Sequence, residues 1–114
     1  MSAFHQDTEV TPVIFRKYGP RKGDDVIALF PAEIGTCNDV ATCSSYVHVG
    51  QHGIAALHYV INATRPAKPD EYADLFRELE APPYGYRLKV YQRVTRQHDA
   101  ARRKQADDLR KGRE

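Results

Sequence analysis

Cys43, His48 and His52 fall within ten residues of one another, with Cys37 and His58 just outside. Thiolate and imidazole are the ligands zinc prefers, and four such groups this close in sequence could close a tetrahedral site. The spacing argues the other way. There is no Cys-x2-Cys knuckle, and Gly50 stands between the two histidines, so their side chains need not converge. The alternative places His48 at a sheet end and His52 in a turn, with no cofactor; it is the reading we carry forward, with a zinc site of Cys43, His48 and His52 as its rival. A thiol enzyme would need Cys43 as nucleophile, His48 or His52 as base and Gln51 as oxyanion donor. Nothing beside Cys43 resembles a helix N-terminus that would lower its pKa.

The other residues able to do chemistry are cations. Residues 1–92 carry nine Lys or Arg against eleven Asp or Glu, and residues 93–114 carry eight against four, so the net charge of +2 belongs to the tail. Within it and just before it, Arg87, Lys89, Tyr91, Arg93, Arg102 and Arg103 form the candidate binding set: cations around an aromatic ring, a pattern suited to anionic partners. Arg16, Lys17, Tyr18, Arg21 and Lys22 could extend it from a first hairpin, and Lys104, Arg110 and Lys111 along the tail. Asp99 with Arg103, and Asp107 with Lys111, sit at i, i+4, the spacing that stabilises an exposed helix by a few tenths of a kcal/mol per pair.

These residues need elements to position them. Val13 to Tyr18 and Val26 to Phe30 read as a β-hairpin around the turn formers Gly19 to Asp25. Pro31 ends the second strand, Glu33 to Thr42 reads as loop, and Ser44 to Val49 as a third strand. Ile54 to Thr64 reads as a short helical turn followed by extended chain. Pro69 at a first-turn position, with Tyr72, Leu75, Phe76 and Leu79 at helical spacing, predicts an amphipathic helix over 69–81. Pro82 and Pro83 stop it. Tyr86 to Val94 alternates as a strand, with Arg87, Lys89, Tyr91 and Arg93 on one face, and Thr95 to Lys111 reads as helix.

The fold class expected is α+β: a small antiparallel sheet of about four strands packed by one amphipathic helix, plus a basic C-terminal helix. The expected organisation is a flexible start over 1–10, one domain over 11–94 and a basic helical tail over 95–114. The longest apolar run, Val26 to Ala32, is far short of the roughly 20 residues that span a bilayer, and no leader opens the chain, so a cytoplasmic protein with reduced cysteines and no membrane partner is expected.

Several stretches together carry a resemblance: Val26-Ile27-Ala28-Leu29-Phe30-Pro31, Ser45-Tyr46-Val47-His48-Val49-Gly50-Gln51-His52-Gly53, Glu71-Tyr72-Ala73-Asp74-Leu75 with Glu78-Leu79, and Gly85-Tyr86-Arg87-Leu88-Lys89-Val90. Over about residues 13 to 94 the chain resembles a group of short uncharacterised proteins carried on bacterial chromosomes, plasmids and phages. No activity is known for that group. The resemblance implies a compact accessory protein, often of mobile elements, and assigns no site residue. The expectation is therefore a non-enzymatic protein that binds a host protein or nucleoprotein assembly, or nucleic acid directly, through its basic surface. A homo-oligomer built on an open strand edge is a third possibility.

Overall fold

The computed structural model describes residues 10–19, 25–36, 39–47 and 51–112. Cys37, His48, Arg21 and Lys22 lie outside them, as do residues 1–9. The fold is α+β, as the sequence predicts. Among the described residues six strands and three helices follow in the order β1 (Thr11–Lys17), β2 (Val26–Thr36), β3 (Asp39–Tyr46), β4 (His52–Ala56), α1 (Leu57–Ala63), β5 (Arg65–Pro66), α2 (Pro69–Glu80), β6 (Leu88–Val90) and α3 (Arg96–Gly112). The sheet runs β4-β3-β2-β1-β5, with β6 also on β1. Every pairing is antiparallel except that of β6 with β1.

Both faces of the sheet are covered, which is why Val13-Ile14-Phe15 and Ile27-Ala28-Leu29-Phe30 are buried without interruption rather than alternately. Val13, Phe15, Ala28, Phe30 and Tyr46 point to one face, where Leu75 and Leu79 of α2 meet them. Phe15 stacks on Tyr72 of the same helix, ring centroids 4.3 Å apart. Ile14, Ile27, Leu29 and Cys43 point to the other face, against Leu57 and Val60 of α1. Fully burying a Leu, Ile or Phe side chain contributes about 1.5–3 kcal/mol, so these two layers hold most of the folding energy. The strong β-formers Val60 and Ile61 are helical because helical geometry turns them into this second layer. The segment 54–64 thus runs opposite to the expected order, extended first and helical after.

β2 does not stop at Pro31. Between Phe30 and Ile34 the register with β3 shifts, from Phe30 opposite Ser44 to Ile34 opposite Cys43, so the strand bulges there and resumes to Thr36. A residue without an N–H fits a bulge, since no ladder bond is lost. The main-chain groups released by the bulge are satisfied from α3. Gln105 donates from Nε2 to Ala32 O at 2.8 Å and accepts at Oε1 from Ile34 N–H at 2.7 Å. Arg102 donates from Nη1 to Pro31 O and from Nε to Val40 O, the latter at 2.8 Å.

The last helix is thus docked on the β2–β3 hairpin rather than trailing from the domain. It starts with a reciprocal cap in which His98 N–H donates to Thr95 Oγ1 at 3.2 Å and Thr95 N–H donates to His98 Nδ1 at 3.1 Å. Its buried residues, His98, Arg102 and Ala106, are spaced one turn apart. Among the described residues its ion pairs are Asp99 with Arg102, Asp107 with Arg110 and Lys104 with Asp108, so two of these three span three residues instead of the four expected.

Candidate basic interface

Cys43 and His52 lie on opposite faces of the sheet. The Cys43 side chain is fully buried in the layer under α1, and burial pushes its thiol up to about 11, against small opposing effects of Arg102 and the Phe30 backbone N–H. A thiol raised that far by burial is a poor nucleophile at neutral pH. The His52 ring packs edge-on against Tyr46 and Tyr84, at 4.7 and 5.4 Å, on the α2 side. Tyr46 is itself fixed there, its hydroxyl donating to Glu78 and lying 3.4 Å from the Tyr84 hydroxyl. The structure therefore does not bring Cys43 and His52 to one ion. His48 lies outside the described residues. His58 is exposed on α1, and no group of three or more His, Cys, Asp or Glu converges among the described residues.

The basic candidates divide into two kinds. Arg102, 4% exposed, spends its guanidinium on Pro31 O, Val40 O and the Asp99 carboxylate, so it ties α3 to the hairpin instead of facing a partner. Arg16 behaves alike at the other end of the sheet. It donates from Nε to Thr64 Oγ1 at 2.9 Å and from Nη2 to the Ile61 and Thr64 carbonyls at 2.8 and 2.6 Å, capping the C-terminus of α1. Lys17 is buried beside Glu71 of α2. Arg65 holds the same carboxylate in a two-pronged pair at 2.9 and 2.6 Å, and with the Lys68 N–H it draws Glu71 down to about 2.

Arg87, Lys89, Arg93 and Arg103 are exposed. β6 covers only Leu88 to Val90, because after Tyr91 N–H donates to Val13 O the chain leaves the sheet and packs Tyr91 and Val94, both partly buried, against the layer under α1. Lys89 and Tyr91 do share a face, the Lys89 Nζ standing 5.4 Å from the Tyr91 ring centre. That ring is also held edge-on by His98 at 4.6 Å, so it anchors α3 and is not a free platform for stacking a base. Arg96, outside the sequence-based set, is exposed at the start of α3. Residues 87–103 thus hold six cations and one acid, and the acid, Asp99, is bound to the buried Arg102. Between α1 and α3 the surface dips into a cleft of about 180 Å³ lined by Val40, Ala41, His58, Asp99, Arg102 and Arg103.

Among the described residues no helix is long and apolar enough to cross a membrane. Comparison with protein-family models, with curated proteins and with solved structures finds no match.

Proposed function

We propose that this chain is a small non-enzymatic accessory protein that binds a larger macromolecule, a protein or nucleoprotein assembly with an anionic surface, through Lys89, Arg93, Arg96 and Arg103. The observation that carries this reading is the segment 89–103, where Lys89, Arg93, Arg96 and Arg103 are exposed and Asp99, the one acid of that stretch, is spent on Arg102. Because the Tyr91 ring is held between Lys89 and His98, recognition is by point charges rather than by base stacking, which favours an acidic protein face or a phosphate backbone over unpaired bases.

The test is fluorescence anisotropy with a labelled acidic polypeptide and a labelled nucleic-acid duplex over a range of salt. Affinity for at least one should fall with salt, with a logarithmic slope no steeper than about −3.6 for four phosphate contacts. It should vanish in the Lys89→Glu, Arg93→Glu, Arg96→Glu, Arg103→Glu variant. Equal binding by that variant would refute the reading.

A further inference from the structure

Among the described residues the free end of the sheet is unguarded. β4 is the terminal strand of the order β4-β3-β2-β1-β5, so its outer main-chain edge has no strand beside it among the described residues. Proteins usually protect such an edge with lysine, proline, a bulge or extreme shortness. The segment His52-Gly53-Ile54-Ala55-Ala56 has no Lys, Arg, Asp, Glu or Pro, and it pairs with β3 over all five residues without a register break. Among the described residues the two most exposed of the large apolar side chains are here as well: Ile54, 62% exposed on β4, and Tyr59, 74% exposed on the helix that follows it. Neither belongs to the basic segment.

We infer that two copies of this chain associate through β4, antiparallel about a twofold axis centred on Ile54. Three observations select a second copy as the occupant. First, the strand is neutral, so two copies meet without like-charge repulsion although each chain carries a net charge of +2. Second, the symmetric register sets Ile54 against Ile54, Gly53 against Ala55 and His52 against Ala56, leaving small residues across the seam on both sides of the central pair. The same axis keeps both α1 helices, and with them both Tyr59 rings, on one face of the joined sheet. Third, the opposite edge of the sheet offers no continuous strand. The outer side of β1 is divided between β5, two residues long and made of Arg and Pro, and β6, three residues long. Head-to-tail growth into a fibre therefore lacks a second edge, and the association closes as a dimer.

A seam of five residues lies at the small end of protein interfaces, so the dimer is reversible and concentration-dependent. It also places two basic segments on one particle, which would raise the avidity for a repeating anionic partner.

Sedimentation equilibrium over concentrations from about 1 μM to about 1 mM tests this directly. The mass should rise from 12.9 kDa toward twice that value as concentration increases. Ile54→Lys, at a site whose side chain is mostly in solvent, should hold the protein at the monomer mass while leaving its circular dichroism unchanged. Lys89→Glu with Arg93→Glu should leave the dimer intact. In a Cys37→Ser background, Ile54→Cys should form a disulfide-linked dimer on mild oxidation, since directly opposed residues of an antiparallel pair lie within disulfide reach and Cys43 is sealed. A monomer at every concentration would overturn the inference, as would a dimer that survives Ile54→Lys and fails to cross-link through Ile54→Cys.

Discussion

Arg102 and Arg103 are neighbours with the same charge, and the structure gives them unrelated work. Replacing Arg102 by Met keeps most of the side-chain stem and removes the guanidinium. Pro31 O and Val40 O then lose their donors at the bulge, and Asp99 loses its partner. The unsatisfied buried carbonyl of Pro31 costs about 1–3 kcal/mol, while Val40 O, part-buried, and Asp99, 40% exposed, recover part of their loss from water. The expected destabilisation is about 3 kcal/mol, a large share of the 5–15 kcal/mol that folds a domain of this size. Arg103→Met removes an exposed cation from a cleft wall and should cost less than about 0.5 kcal/mol. Urea unfolding measures both: Arg102→Met should lower the midpoint with little change in slope, and the melting temperature by roughly 10 °C or more. If the two variants unfold within about 0.5 kcal/mol of each other, the assignment of Arg102 to holding α3 on the hairpin is wrong.

In a Cys37→Ser background, Cys43 should resist a water-soluble thiol reagent in the native state at neutral pH and react at once in denaturant, because its thiol is sealed and pushed up to about 11. Burial and Arg102 lower the pKa of His98, with Asp99 opposing them, so the unfolded chain binds this proton more readily than the folded one. Stability from this site is therefore intact above about pH 6.5 and declines as pH falls through the unfolded value toward the lower folded one. His98→Gln, which keeps a cap acceptor, should flatten that part of the urea-midpoint profile relative to wild type. A β-carbon at Gly35 would stand 2.6 Å from Ile54 Cγ2 and 2.9 Å from Thr42 Cβ, so Gly35→Ala should cost roughly 1–3 kcal/mol in the same assay.

The elements legible in the sequence were those whose own residues decide them. Pro69 with the Tyr72, Leu75, Phe76, Leu79 stripe specified α2 to within a residue, and the first hairpin followed from apolar runs flanking turn formers. The elements that were misread depend on distant partners. β2 continues past Pro31 because a bulge absorbs the missing N–H and because Arg102 and Gln105, about seventy residues later, satisfy the released groups. The face that α3 buries is His98, Arg102 and Ala106, with Gln105 beside it. It is polar in composition, so a test of apolar periodicity passes over it and reads a solvated tail. The turn spacing of 98, 102 and 106 was the available signal. For the candidate site, the alternation that put Lys89 and Tyr91 on one face held. The sequence alone could not divide exposed cations from structural ones, because that division rests on which carbonyls a bulge or a helix end leaves open.

The most direct test of the central claim is comparative capture from a bacterial lysate with cross-linking and mass spectrometry. It sets the wild-type chain beside the Lys89→Glu, Arg93→Glu, Arg96→Glu, Arg103→Glu variant, after both are shown to unfold at the same urea concentration. A binding protein that works through the 89–103 surface should enrich the same macromolecule in repeat experiments and lose it by about tenfold or more on charge reversal, the equivalent of about 1.4 kcal/mol. Undiminished capture by the charge-reversed chain would contradict the account and place the partner's contact elsewhere on the fold.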